Sequence, residues 1–509
     1  MKTKIRRTWL RGKGRIEGRL EGARLLEDSG RPVMRASGVR LELGGRVRAT
    51  AHGGLAAIHQ MVLSTGLVKR VDAGLQVLKV HKPYHESDHV LNIAYNAMCD
   101  GRRLEDLERL RKDEAHLDMM GTRAIPDPTT AGDFCRRFGA ADIDALSDAI
   151  NDTRVQVWKR SGLAKREPTA RIDADGTLVP TTGECKAGMG LSYKGDWGYH
   201  PLLVSLASTN EPLFIVNRSG NRPSSEGAAA YFDRAIALCR RGGFTDVLLR
   251  GDTDFMQTQH LDRWHNDGVR FVFGYDARKN LVERADSLPE PLYRKLERMA
   301  GDAFAQVQQR QKQPRVKEQI VRENGYRNIR LRAEDLAEFD YRPTACKRDY
   351  RIVVLRKNLT IEKGGTALFD EIRYFFYITN DHTLSVEQVV HEANQRCNQE
   401  NLISQLKSGV NALHAPVNTL IANGAYMLMT SLAWTFKAWA ALLLPIHPPH
   451  RQKHEDQRLR WLRMDFRTFS NAVVQMPAQV LTTARRLVVR LLAWRAETPV
   501  LFRLLNALE

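Results

Sequence analysis

The sequence predicts an α/β protein in which a mixed β-sheet forms the core and helical regions come before and after it. Between about residues 170 and 275, apolar runs of strand length alternate with segments of helical period. Residues 55–158 and the part after about residue 416 read as helical instead. With 509 residues, the chain can bury a large core and form two to four domains.

The central segment predicts the order of elements in the sheet. Apolar, strand-like runs occupy residues 172–179, 202–207, 213–217, 247–250 and 269–273. Helical patterns occupy residues 227–240 and 256–264, so three strands are followed by helix, strand, helix and strand. That order is typical of an RNase H-like mixed sheet.

The charge of the chain favours a polyanionic partner. Lys and Arg number 78 against 59 Asp and Glu, which gives a formal net charge of +19. This excess is larger than solubility requires. A membrane surface is the alternative, but no secretory signal is visible, and the apolar residues 420–436 include Asn423 and Gly424. We expect no membrane partner and a buried core helix at 420–436.

The pattern of cysteines indicates the redox environment in which the protein works. All six are scattered and form no Cys-x-x-Cys pair. Neither a disulfide framework nor a zinc ribbon is therefore predicted, and a reducing cytoplasm is expected.

The first 50 residues carry 14 Lys or Arg and 5 Asp or Glu. Glycines at positions 12, 14, 18 and 22 argue against a long continuous helix there. The segment is expected to be a basic arm that is flexible or β-rich, with a disordered tail as the alternative.

A helical pair near residue 130 resembles a helix-turn-helix. The segment 127–130 offers a turn and an N-cap before a helix at 131–138. Arg136 and Arg137 near the end of that helix would then contact DNA, although most short helix pairs are packing units.

Three acidic residues stand at positions suited to a shared site. Asp173 and Asp175 lie two apart on a predicted strand and so share one face. Asp252 follows the apolar run that ends at Gly251, where the chain can turn. Taken alone, each of these aspartates is more typical of a turn or a helix cap than of a metal site. Asp254 in particular is expected to cap a helix that starts near Phe255.

A later helix carries a second charged pattern. Arg396, Glu400 and Lys407 are spaced by four and seven residues, which keeps all three on nearly the same helical side. Such a face is usually a solvated salt-bridge surface. Beside two aspartates, however, it would complete an Asp, Asp, Glu site for two Mg²⁺ ions, with Mn²⁺ as a possible substitute.

Several ordered motifs between Tyr84 and Trp439 together resemble a known family. They are residues 84–91, 126–130, 136–138, 173–177, 193–203, 217–221 and 250–252, followed by the helix with Arg396, Glu400 and Lys407. The chain resembles a DDE transposase of bacterial insertion sequences, of the thirteen-eighty family and the group with a Tyr-Arg-Glu-Lys signature.

The resemblance implies roles for individual residues. Asp175, Asp252 and Glu400 would be the metal-binding triad, and Asp175 is preferred over its competitor Asp173 because it precedes Gly176-Thr177. Arg396 and Lys407 would grip phosphates near the cut. Arg250 and Lys194 also lie in matched motifs and are expected to contact DNA. The signature tyrosine is replaced by Ala393, which puts a hairpin intermediate that depends on it in doubt.

The function implied is cut-and-paste transposition. The enzyme would bind its terminal inverted repeats, hydrolyse phosphodiesters at the ends and join the 3′-hydroxyls to target DNA, acting as a homodimer at the bacterial nucleoid. A metal nuclease of the same fold without strand transfer and a catalytically inactive DNA-binding relative are the alternatives.

The expected organisation has six regions. These are a basic arm (1–50), a helical DNA-binding domain (51–165), the first part of the catalytic core (166–275), a partly β insertion (276–380), the core helix with Glu400 (381–415) and a C-terminal helical region (416–509).

Overall fold

The computed structural model describes residues 3–24, 47–183, 185–296, 323–364, 366–483 and 486–508, together with residues 36, 39–41 and 45. The fold is mixed α/β, with one large mixed sheet and many helices. The strands are β1 (Ala49–Thr50), β2 (Thr169–Gly176), β3 (Val179–Pro180), β4 (Gly190–Leu191), β5 (Trp197–Tyr199), β6 (Leu202–Leu206), β7 (Glu211–Val216), β8 (Asp246–Gly251), β9 (Arg270–Tyr275), β10 (Arg294–Lys295), β11 (Arg327–Tyr341), β12 (Tyr350–Lys363), β13 (Thr366–Thr379), β14 (Ala478–Thr482) and β15 (Leu487–Leu491).

The helices fall mainly before β2 and after β13. The α-helices are Thr3–Arg24, Leu55–Thr65, Leu67–Gly74, Glu86–Met98, Leu107–Arg111, Glu114–Met120, Pro128–Arg136, Ala140–Ser161, Leu163–Arg166, Ala228–Arg241, Leu261–Asn266, Lys279–Asp286, Val386–Gln395, Cys397–Ser404, Leu420–Leu442, Arg451–Arg463, Phe466–Phe469 and Thr498–Asn506. Short 3₁₀ turns span Leu104–Asp106, Thr253–Phe255, Thr258–His260, Glu290–Leu292 and Pro448–His450, and π-helical turns span Gln405–Gly409 and Ser470–Val474.

The main sheet has nine strands in the order β10-β11-β12-β13-β9-β8-β2-β6-β7. Strands β2, β8 and β9 are parallel, whereas β6, β7 and β13 run antiparallel to their neighbours. Strands β8 and β9 are buried along nearly their whole length, as is typical of parallel strands inside a sheet. The predicted order of elements from 172 to 273 is therefore confirmed.

Two details of that segment differ from the prediction. The first strand ends at Gly176 rather than at residue 179. The helix expected at 256–264 is broken, because 3₁₀ turns at Thr253–Phe255 and Thr258–His260 precede a short helix at Leu261–Asn266.

The region expected to be a partly β insertion extends the main sheet. Strand β13 pairs with β9 from Phe376 opposite Tyr275 to Thr379 opposite Val272. Strands β11, β12 and β13 are 15, 14 and 14 residues long, so they form a long antiparallel addition at one sheet edge.

The helix Leu420–Leu442 is buried from Ala422 to Leu442, which confirms the expected core helix. It packs against the helices Glu86–Met98 and Ala140–Ser161 and against β7. The buried Glu211 of β7 accepts hydrogen bonds from Trp439 of this helix (2.9 Å) and from Arg154 (3.1 Å). No helix in the described ranges is long and apolar enough to cross a membrane.

Both ends of the chain differ from expectation. Residues 3–24 form one helix, so the argument from glycine was wrong. The ring of Trp9 in this helix is tilted against that of Trp494, with ring centroids 5.9 Å apart, and its indole N–H donates to the carbonyl of Arg495. Local propensity does not foresee this tertiary contact. The C-terminal region is not wholly helical, because β14 and β15 form a hairpin that pairs with β1.

Lys437 is buried in the core helix with 1% of its surface exposed. Its ammonium donates to the carbonyl of Leu462 (2.8 Å) and lies 3.7 Å from the ring centre of Trp434. Burial lowers the pKa of Lys437 to about 7.

Replacing Lys437 by Met should stabilise the protein by about 2 kcal/mol at pH 7. The unfolded chain binds a proton at this lysine up to its ordinary pKa of 10.5 and the folded protein only up to about 7, so native stability should rise with pH across that window. Thermal unfolding of K437M should show a shallower pH dependence than wild type, whereas K112M, at a 75% exposed side chain, should not. A destabilised K437M with an unchanged pH slope would contradict this account.

Candidate active site

Asp175 and Asp252 lie at the same edge of the sheet. Asp175 is near the end of β2, and Asp252 directly follows β8. These strands are parallel neighbours, with Asp173 opposite Arg250, so the residues two positions further along leave the sheet together. The predicted adjacency of the two strands is confirmed. The Asp252 carboxylate also accepts from the Asp254 N–H (3.0 Å), so Asp252 caps this turn and Asp254 does not.

The Arg396 guanidinium lies between the two aspartates. Its Nη1 atom is 3.7 Å from Asp175 Oδ2 and 3.8 Å from Asp252 Oδ2. Arg396 stands at the junction of the helices Val386–Gln395 and Cys397–Ser404, so the predicted single helix is broken there. One cation thus offsets the charge of two carboxylates at distances that leave room for closer ligands.

Burial and the charge of Asp252 raise the pKa of Asp175 to about 6, although Arg396 opposes the shift. The charge of Glu400, an exposed residue, adds a smaller rise to the same pKa. Burial also raises the pKa of Asp252. Burial therefore disfavours the charged form of both aspartates, and the neighbouring carboxylates add to this effect at Asp175.

Lys407 approaches the same carboxylates from the π-helical turn that follows. Its ammonium donates to the carbonyl of Leu178 (2.7 Å), just beyond β2. Burial lowers the pKa of Lys407, and the charge of Asp175 acts against that shift. Arg396 therefore lies beside Asp175, and the charges of Glu400 and Lys407 act on it. The three residues do not lie on one continuous helix as predicted, because the helix breaks at Arg396 and Lys407 stands in a π-helical turn.

The donor set suits a hard divalent cation, but its geometry is not that of a closed metal site. Carboxylate oxygens are the ligands that Mg²⁺ and Mn²⁺ prefer, and carboxylates with raised pKa values gain from a cation. Within the described residues, however, no three His, Cys, Asp or Glu side chains are grouped closely enough to hold a metal ion. In this structure the Arg396 guanidinium lies where the two aspartates converge.

Asp173 and Arg250 belong to a buried ion-pair network beside the site. Each has 1% of its surface exposed, and Arg250 donates to both Asp173 oxygens at 2.7 and 2.9 Å. Arg250 also donates to Glu392 (2.9 Å), which accepts from Arg171 at 3.0 Å. Asp173 is thus already engaged, which favours Asp175 as the first acid. We no longer expect Arg250 to contact DNA, because it would first have to break these pairs.

Gln399 anchors the Glu400 helix to the sheet. It is 2% exposed, its amide donates to the carbonyl of Leu203 (3.2 Å), and its oxygen accepts from the hydroxyl of Ser205. Leu203 on β6 is the residue opposite Asp175 on β2. The residue before Glu400 is therefore bonded to the backbone that pairs with Asp175.

The remaining predicted contacts lie outside this cluster. Lys194 is exposed in the turn between β4 and β5, with its ammonium 5.4 Å from the ring centre of Tyr193. Arg136 and Arg137 are exposed at the end of the helix Pro128–Arg136, where Arg136 pairs with Asp133 (2.6 Å). Asp127 caps that helix, as predicted.

Sequence reasoning missed Glu392 and Gln399. They are seven residues apart in the sequence, on either side of the break at Arg396, and each lies three residues from a buried apolar residue of its own helix, Val389 and Leu402 respectively. Polar residues on an otherwise apolar face are the signal that could have identified them.

These features agree with the family to which the chain belongs. The family model described as "Transposase DDE domain group 1" matches residues 31–509, so the chain is a DDE transposase by family. No curated protein matches the chain. Among solved structures, a piggyBac transposase synaptic complex with hairpin DNA is similar at 11% identity and a TM-score of 0.34, with 83% of this chain and 87% of that chain covered.

Asp175→Asn should stabilise the cation-free protein by up to about 3 kcal/mol near pH 7. Because the folded pKa is about 6 and the ordinary value 3.8, the folded protein binds the proton more tightly, and wild-type stability should fall as pH rises through that window. Thermal unfolding in the presence of a chelator should show D175N above wild type at pH 7 and equal to it below pH 3.8. Equal midpoints at neutral pH would refute the raised pKa of Asp175.

Proposed function

We propose that the chain is a cut-and-paste transposase with Asp175, Asp252 and Glu400 as its catalytic triad. It would bind the terminal inverted repeats of its element, cleave the ends by phosphodiester hydrolysis and join the 3′-hydroxyls to target DNA. The observation that carries the proposal is the approach of Asp175 and Asp252 to one guanidinium, with the charge of Glu400 acting on Asp175.

Two Mg²⁺ ions, or Mn²⁺ in their place, would be held by the oxygens of Asp175, Asp252 and Glu400. When bound, such ions stabilise charge on the attacking and the leaving oxygen of a phosphodiester. The family membership supports this assignment, because a DDE domain is defined by three acidic residues.

The aspartates, Arg396 and Lys407 would have different roles in cation and DNA binding. The aspartates must be ionised to bind a cation, so the raised pKa of Asp175 makes cation binding weaker below about pH 6. Arg396 offsets part of the repulsion between the aspartates and would contact a DNA phosphate beside them. Lys407, fixed by the carbonyl of Leu178, would contact a phosphate at the other side of Asp175.

The finer assignments are part of the same proposal. The strands β7-β6-β2-β8-β9 would be an RNase H-like core, which their order and directions support. The protein would be the transposase of a bacterial insertion sequence of the thirteen-eighty family and act as a homodimer on double-stranded DNA. Lys194, Arg136 and Arg137 would contact DNA outside the triad. Ala393 packs against an apolar cluster formed by residues of β8, β9, β11, β12 and its own helix, and it supplies no aromatic ring for a hairpin intermediate.

Asp252→Asn and Glu400→Gln should each reduce strand cleavage by at least about 100-fold while leaving DNA-end binding within about 2-fold of wild type. Asp254→Asn, an exposed neighbour of the same charge, is the matched control and should cleave normally. Gel assays of cleavage and binding on the same DNA provide both readouts.

Supplying pre-cut ends tests the strand-transfer step. Wild type should join free 3′-hydroxyl ends to target DNA, whereas a metal nuclease without transfer would not. Cleavage retained in both triad variants would overturn the site, and an inactive wild type that still binds ends would indicate a DNA-binding relative.

Gln399→Met should lower cleavage about 10–100-fold, because removal of its bonds to Leu203 and Ser205 lets Glu400 move relative to Asp175. The Mg²⁺ concentration that gives half-maximal rate should rise, while DNA binding should not change. Asn398→Met, one residue away and exposed, is the control. A variant that loses only thermal stability, with the Mg²⁺ dependence of wild type, would show that Gln399 does not position the site.

A further inference from the structure

A groove of about 750 Å³ lies in the C-terminal region, and none of the residues of the acidic site lines it. The helices Arg451–Arg463 and Thr498–Asn506 form its walls, together with the segment at Pro448–His450. Its polar lining comprises His447, His450, Lys453, His454, Gln457, Arg503 and Asn506, and four prolines contribute to the rest. The triad proposed above does not use this groove.

The lining of the groove is cationic. Lys453 and Arg503 carry permanent positive charge, and three imidazoles stand beside them. None of the described lining residues is Asp or Glu. Burial lowers the pKa of His454, and the charges of Arg503 and Lys453 lower it further. An anion is the ligand that this balance favours.

Arg503 has donors that the protein leaves unused. Its Nη1 atom donates to the side-chain oxygen of Gln457 (2.6 Å), but the buried Nε and Nη2 atoms have no hydrogen-bond partner among the described residues. Burial lowers the pKa of Arg503, and no carboxylate raises it again. Buried guanidinium donors without acceptors are costly, so a bound oxyanion would relieve that cost.

The histidines add a neutral donor. The backbone N–H of His447 donates to Nδ1 of His454 (3.1 Å), so a neutral His454 carries its proton on Nε2 and can donate from that atom. The ring of His454 lies 5.3 Å from that of His447 and 5.7 Å from that of His450. The adjacent Lys453 and Arg503 repel a metal cation, and the described residues contain no His, Cys, Asp or Glu group fit to hold one.

We propose that this groove binds a phosphate group of the DNA backbone, and so forms a second DNA contact apart from the triad. The inference rests on the proposed function, because DNA is the partner it names. Arg503, Lys453 and His454 all line the groove and carry N–H donors, and guanidinium groups match phosphate in geometry and charge. The interaction carries no sequence information, since phosphates are the same along any DNA.

The test is DNA affinity as a function of salt, measured by fluorescence anisotropy with a duplex of random sequence and about 30 base pairs. The protein carries Glu400→Gln throughout, so that binding is observed without cleavage. Adding Lys453→Gln or Arg503→Gln should weaken binding about 5–10-fold and reduce the slope of log affinity against log salt by about 0.9 for each phosphate that is no longer neutralised. Lys279→Gln removes the same charge at a 91% exposed side chain elsewhere and should change neither quantity.

The outcomes separate the groove from the proposed function. If the parent binds DNA and both groove variants keep its affinity and slope, the groove does not contact DNA. If the parent itself fails to bind DNA, the proposed function fails first. Thermal stabilisation by inorganic phosphate that disappears in both variants, with DNA binding unchanged, would assign the groove to a free phosphate and overturn the DNA contact. Lys453 is exposed, so its variant remains informative if Arg503→Gln does not fold.

Discussion

The placement of two like charges at one sheet edge is the constraint on which the rest of this structure depends. Because β2 and β8 are adjacent and parallel, Asp175 and Asp252 leave the sheet together in partly buried surroundings. Arg396 lies between them and offsets part of their repulsion. The pKa of Asp175 nevertheless stays raised to about 6, because burial and the charge of Asp252 outweigh the charge of Arg396. Partly buried carboxylates whose pKa values are raised favour the binding of a further positive charge.

The helix that carries Arg396 and Glu400 must therefore be held in a fixed position over the sheet. Two sets of polar contacts hold this helical segment in place, one on each side of the break at Arg396. Glu392 joins the first helix to Arg250 and Arg171, and Gln399 joins the second to β6 opposite Asp175. Buried polar groups of this kind are costly unless every partner is present, so they fix one geometry rather than several. Rigid support of this sort is what a catalytic carboxylate needs.

Much of this arrangement could be predicted from the sequence, because it follows from local periodicity. The apolar runs predicted the order of the strands along the chain. The ends of those strands predicted where Asp175 and Asp252 lie. The alternation of a strand could not separate Asp173 from Asp175, since both lie on one face. What separates them is Arg250, a side chain from the neighbouring strand that pairs with Asp173. Contacts between residues that are distant in the sequence also explain why the termini were not predicted. The helix at 3–24 contacts Trp494, and β14 pairs with β1 across more than 400 residues.

The most direct measurement is the anomalous scattering of Mn²⁺ in crystals of the protein soaked at pH 7. The account predicts a peak at roughly 2.0–2.3 Å from carboxylate oxygens of both Asp175 and Asp252, with the guanidinium of Arg396 displaced from between them. An absent peak, or one at another set of residues with Arg396 still bridging the two aspartates, would contradict it.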